Sequence, residues 1–184
     1  MAIHSPENRL WWNEKVGRAE LVWATIAFLW GIFMFFMMVY WHINGEQNLS
    51  TAAYRIDPAV FEKRTDEFTK KFTVREEGTT GIPVARPPAG GDVYMLARLW
   101  QWWPVLELER GQSYRVHLSS LDYMHGFSLQ PVNMNIQVHP GIEHVFTITP
   151  TELGTFSIVC NEFCGTGHHV MVGRIHVIER QAQR

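Results

Sequence analysis

The sequence predicts a mainly β protein carrying one N-terminal transmembrane helix, and three observations support that prediction. Residues 21–41 form an apolar run without a charged side chain. From Asp92 onward, short alternations of apolar and polar residues recur between turns containing Gly or Pro. The only two cysteines, Cys160 and Cys164, share one loop with His168 and Met171.

A helix that crosses a hydrocarbon core of about 30 Å needs about 20 apolar residues, which residues 21–42 supply. A cleavable signal peptide would carry a shorter apolar region, about 7–15 residues, followed by small residues at the cut. Trp41-His42-Ile43-Asn44 offers no such site. Trp11, Trp12 and Trp23 near one end, with Tyr40 and Trp41 at the other, suit the interfacial belts of a membrane span. Arg9, Lys15 and Arg18 precede the run, and only Arg55 follows it before Glu62. The positive-inside rule therefore puts residues 1–20 in the cytoplasm and the large domain outside.

Residues 43–91 read as an extracytoplasmic connector. The part up to Phe72 is polar and charged, with a dense charge run over 61–71, and Gly78 to Gly91 is rich in Gly and Pro. The charge run suits a solvated face or a strip lying against a partner. Residues 92–184 read as the folded domain. Residues 93–100, 105–109, 114–118, 143–148, 155–159 and 174–178 are the strand candidates, separated by turns at Arg110-Gly111, Pro140-Gly141 and Leu153-Gly154. That rhythm argues for an all-β sandwich or barrel. At 184 residues and 46% hydrophobic content, the chain has room for one span and one ordinary domain. A net charge of −2 argues against a nucleic-acid partner.

The chemistry is concentrated in the cysteine loop. Thiolates and a thioether are soft donors and imidazole is intermediate, a mixture that selects copper over magnesium, calcium or manganese. A disulfide is the default for paired cysteines outside the cytoplasm, but it leaves the His168 and Met171 spacing without a reason. A structural zinc site would use four Cys or His ligands and no methionine. A mononuclear blue-copper site takes one Cys, two His and an axial Met, so a second thiol is surplus to it; two thiolates can instead bridge two metal ions. A second imidazole must come from outside the loop, and His125 in Asp122-Tyr123-Met124-His125-Gly126-Phe127 is the candidate. His117, His139, His144 and His176 read as ordinary strand or surface residues, and His169 rivals His168. A further candidate is Trp100-Gln101-Trp102-Trp103-Pro104, because these tryptophans cannot all face inward on a strand of period two.

Cys160-x-Glu162-x-Cys164-Gly165-x-x-His168-x-x-Met171, preceded by Asp122-x-x-His125-Gly126-Phe127, resembles the binuclear CuA centre of subunit II of heme-copper oxidases. The resemblance spans nearly the whole chain. It implies a cupredoxin-like Greek-key β-barrel and two copper ions, bridged by Cys160 and Cys164. His125 and His168 would each bind one ion, with Met171 and the Glu162 backbone carbonyl as weak axial donors. It implies magnesium near the Glu162 side chain at the contact with subunit I, and electrons entering at Trp102 with Trp100 or Trp103 as neighbour. The partners implied are subunit I, other membrane subunits and cytochrome c or a similar one-electron donor. The setting implied is the cytoplasmic membrane of a prokaryote. On this reading the chain is a subunit of an oxidoreductase and proton translocase, and oxygen chemistry belongs to subunit I. The single helix resembles B-type enzymes and Glu162 the A-type, so the subfamily stays open. A nitric oxide reductase with the same copper module is the alternative.

Overall fold

The structure is a computed structural model, and it describes residues 15–45, 51–78, 80–132 and 134–180. Arg9, Trp11 and Trp12, and most of the expected cytoplasmic segment, lie outside the described residues. The chain divides into two units, Met1–Asn48 and Leu49–Arg184.

In the first unit, helix α1 (Arg18–Asn44) runs for 27 residues, about 40 Å at 1.5 Å per residue, and none of its side chains is buried. Gly17 precedes it, and the Glu20 carboxylate accepts from the Gly17 N–H at 2.7 Å, as in a capping box. By length and composition this apolar helix is long enough for a membrane span.

The second unit begins with β1 (Ala52–Arg55), α2 (Pro58–Phe72), β2 (Thr73–Glu77) and β3 (Ile82–Ala85). It continues with β4 (Asp92–Arg98), β5 (Gln101–Trp103), β6 (Val105–Glu109), β7 (Tyr114–Ser120), β8 (His125–Gln130) and β9 (Met134–Val138). It ends with β10 (Ile142–Ile148), β11 (Gly154–Cys160) and β12 (Val172–Ile178). One sheet has the order β1-β10-β7-β4-β5 and the other β2-β3-β6-β12-β11-β8-β9. The order places non-consecutive strands side by side, with β4 parallel to β7 and β12 parallel to β6, pairs that only long crossover connections can join. The strand pairs form two open sheets, so the expected barrel is realised as a sandwich. Its core lies between them, with Val93, Met95, Ala97, Val116, Leu118 and Phe146 from one sheet meeting Leu106, Phe127, Leu129, Ile158 and Ile175 from the other.

The folded unit begins at Leu49 rather than at Asp92. Part of the segment read as connector is helix α2: Asp57 caps it by accepting from the Ala59 N–H at 2.9 Å, and Pro58 opens its first turn. Phe61 and Phe68 rest on Tyr94 of β4, with ring centroids 6.0 and 5.8 Å apart, while Lys63, Arg64, Glu67, Lys70 and Lys71 of the same helix are exposed. Buried Thr65 and Thr69 are satisfied by donating to carbonyls four residues back. The remaining strands of this segment extend the two sheets: β1 pairs with β10, and β2 and β3 join the second sheet beside β6.

Candidate metal centre

His125 opens β8 and Cys160 closes β11, two neighbouring strands paired through Phe127 and Cys160, so a rigid sheet end presents both. The loop from β11 to β12 supplies Cys164, His168 and Met171. Its base is closed by the Cys160 N–H donating to the Met171 carbonyl at 3.1 Å. Gly165 turns the loop at φ +116°, a left-handed conformation that favours glycine, and His168–Val170 forms a single 3-10 turn.

His125, Cys160, Cys164 and Met171 are buried and His168 is half-buried. Both cysteines are free thiols, so the disulfide is not formed. Their sulfurs lie 3.8 Å apart. The Nδ1 atom of His125 is 3.9 Å from the Cys160 sulfur, and Nδ1 of His168 is 3.7 Å from the Cys164 sulfur. The Met171 sulfur lies 3.9 Å from Cys164, and the Glu162 carbonyl oxygen lies 3.3 Å from Cys160. The arrangement is a pair of thiols, each flanked by one imidazole and one weaker donor. With metal–thiolate bonds of about 2.3 Å, one ion can touch both sulfurs at this separation.

Electrostatics around the donors favours metal over free thiolate. Burial and the hydrogen bond to Cys160 push the Cys164 thiol up to about 11, so loss of its proton at neutral pH requires the charge of a bound ion. Asp122 Oδ1 lies 2.8 Å from Nε2 of His125, which leaves Nδ1 directed to the sulfurs. Burial raises the Asp122 carboxyl, but hydrogen bonds from His125 and from the Tyr123 and Leu99 N–H groups outweigh it and hold it below the usual carboxylate range.

The three tryptophans part ways. Trp102 is 1% exposed, its ring edge-on to His125 and Phe127. Trp103 is half-buried beneath the Arg98 guanidinium, 4.3 Å from its ring. Trp100 is 38% exposed and lies over the cysteine loop, donating its indole N–H to the Cys164 carbonyl at 3.3 Å. A Cβ on Gly167 would clash with this ring, so the glycine makes room for it. The sequence expectation centred on Trp102; Trp100 is the most exposed of the three. Leu99, Tyr123, Phe163, Val170 and Val172 are also exposed apolar residues at or next to the strands and loop of the site.

His169 is exposed. His117 and His176 hydrogen-bond to Glu143 and Glu77, away from the thiols. Sequence reasoning did not single out Gln137, whose amide donates to Glu162 Oε1 at 3.0 Å. The two are 25 positions apart, and no local pattern signals the contact.

No protein-family model matches the chain. It is 33% identical over 136 residues to cytochrome c oxidase subunit 2 of Thermus thermophilus, an alignment that covers 71% of this chain and 98% of that protein. The subunit 2 of a further Thermus thermophilus strain is also 33% identical, with 79% of its length covered. Among solved structures, a chain of a heme-copper terminal oxidase dimer superposes with a TM-score of 0.57 at 23% identity, covering 88% of this chain and 100% of that one, a likeness of fold. With a relative 33% identical and aligned over 98% of its length, and a buried cluster of His125, Cys160 and Cys164 beside Met171, this chain belongs to the cytochrome c oxidase subunit 2 family.

Proposed function

We propose that this chain is the subunit through which electrons enter a respiratory terminal oxidase, taking them singly from cytochrome c or a similar carrier and passing them toward heme in subunit I. The observation that carries the reading is the paired geometry of Cys160 and Cys164, each with one imidazole Nδ1 within 4 Å. Cys160 and Cys164 would hold two copper ions between them, with His125 and His168 as terminal ligands and Met171 and the Glu162 carbonyl as weak axial donors. Such a pair, when bound, shares one electron over both metals. The chain's own residues keep the centre rigid and dry: β8 and β11 fix two ligands, Asp122 orients His125, and Trp102 fills the space beneath. Rigidity favours fast transfer because little must rearrange when charge changes.

Trp100 stands between solvent and the loop, and its exposed ring, with exposed Leu99 beside it in the chain and exposed Phe163 on the loop, suits a donor that docks by apolar contact. Helix α1 would anchor the chain in the cytoplasmic membrane of a prokaryote, with the β unit on the outer side. Magnesium at Glu162 would need oxygen donors from subunit I. Among the described residues, His125, Cys160 and Cys164 form the one cluster of three His, Cys, Asp or Glu donors close enough to share an ion.

The test is the purified complex. Two coppers per chain, an electron-spin signal split equally by both nuclei, and oxygen consumption with reduced cytochrome c are the expected results. One copper per chain, or a signal from a single nucleus, overturns the binuclear reading. Consumption of nitric oxide without oxygen reassigns the complex to the reductase.

A further inference from the structure

Glu162 is held from two neighbouring strands at once. Gly126 on β8 and Gln137 on β9 are cross-strand partners; Gln137 bonds the Glu162 carboxylate, and Gly126 bonds the preceding Asn161 and leaves room for the Glu162 backbone. Gly126 has no side chain where the loop crosses: a Cβ there would come within 2.8 Å of the Glu162 nitrogen and 2.9 Å of its Cγ, and would clash with the Asn161 side chain. The Gly126 carbonyl accepts from the Asn161 N–H at 3.2 Å. From the adjacent strand, the Gln137 amide reaches Glu162 Oε1 at 3.0 Å. β9 alternates buried and exposed residues, and Gln137 is on its exposed face, so its side chain adds nothing to the core. Between these two holds, the Glu162 carbonyl stands 3.3 Å from the Cys160 sulfur.

We infer that Gln137 is a positioning residue for the metal centre: by holding the Glu162 carboxylate from β9, it sets where the Glu162 carbonyl stands relative to Cys160. The inference rests on the proposed copper reading, in which that carbonyl is a weak axial donor. Weak axial donors tune the potential of a copper site. Gln137 is uncharged, so removing its amide changes no formal charge at the site, and the Glu162→Gln background, which has no carboxylate charge left to tune, separates placement from charge.

The experiment uses the full chain, purified from membranes in detergent with its copper, as wild type, Gln137→Leu, Glu162→Leu, Glu162→Gln and combinations of these. Gln137→Leu is expected to keep its copper content and melting temperature. It should change the one-electron equilibrium about threefold, equivalent to about 28 mV at 59 mV per tenfold, and alter the copper hyperfine splitting. In the Glu162→Leu background the same replacement should add nothing, because residues acting through one contact are not additive. In the Glu162→Gln background, where an acceptor oxygen remains, replacing Gln137 should still shift the potential. Unchanged potential and hyperfine splitting in Gln137→Leu, or shifts that simply add in the double variant, overturn the inference alone. A one-copper signal in the unsubstituted chain overturns the copper reading and this inference with it.

Discussion

Trp100 and Trp102 stand two positions apart and differ in almost every physical respect. Trp102 is buried against His125 and Phe127, so Trp102→Ala should lower unfolding free energy by about 3–5 kcal/mol, the range for an aromatic truncated in a core. Trp100 covers the cysteine loop from the solvent side. Trp100→Ala should leave the copper spectrum unchanged while slowing electron uptake from reduced cytochrome c about tenfold, an activation change of about 1.4 kcal/mol. Stopped-flow kinetics on the folded, copper-loaded complex checks this, and wild-type uptake would make Trp100 a packing cover only. The two adjacent histidines separate in the same way. His168 has its Nδ1 3.7 Å from the Cys164 sulfur, whereas His169 is exposed. His168→Ala should therefore lose or remodel the copper absorption and His169→Ala should keep it; the reverse outcome would mean that the loop is bound in another register.

Glu107 ties three elements together at the far side of the second sheet. It is buried on β6 and receives Arg75 of β2 at 2.9 Å and Arg86, just beyond β3, through charge-assisted hydrogen bonds. Burial raises its carboxyl, but the hydrogen bonds from Arg75 and Arg86 prevail and hold it below its ordinary value near 4.5. A carboxyl depressed in the folded state contributes stability that is fully present above its unfolded pKa and is lost as pH falls through the folded value. Glu107→Gln should cost about 1–3 kcal/mol at pH 7, the range for a hydrogen bond to a charged group left unmade. That difference from wild type should shrink below about pH 4.5 as the wild-type carboxyl takes up its proton. Urea denaturation across pH checks it, and a difference that holds constant down to pH 3 would mean that the pair contributes no charge-dependent stability. On α2, by contrast, the ordering force is apolar: Phe61 and Phe68 bury against Tyr94, and Lys63, Arg64, Glu67, Lys70 and Lys71 are exposed.

The boundary of the folded unit has a consequence for the molecule as a whole. A soluble piece cut at Asp92 would remove β1, α2, β2 and β3, expose Tyr94 and Leu106, and leave Glu107 without either arginine. The piece Leu49–Arg184 keeps both sheets entire. Expressed without α1, Leu49–Arg184 should unfold cooperatively and take up copper, whereas residues 92–184 should aggregate or bind copper weakly. Denaturant unfolding and metal analysis of the two pieces decide it, and equal behaviour would show that the N-terminal strands and α2 add nothing to the fold.

Features confined to short stretches of chain were legible in the sequence. The span was readable because a lipid core demands one unbroken apolar run, and the cysteine loop because four of its donors lie within twelve consecutive residues, 160–171. Six of the strands were readable because one buried face imposes a period of two. The last two strands before the Pro-Gly turn, β8 and β9, were not picked out: β8 is buried along most of its length, which erases the alternation, and β9 is only five residues long. Helix α2 carried a start signal at Asp57-Pro58 and spaced phenylalanines, but solvated charges diluted the stripe. Tertiary structure alone decided which tryptophan is buried and that Gln137 reaches Glu162. Each of these depends on two distant stretches being brought to one sheet end, and periodicity along a single segment carries no information about what lies across from it.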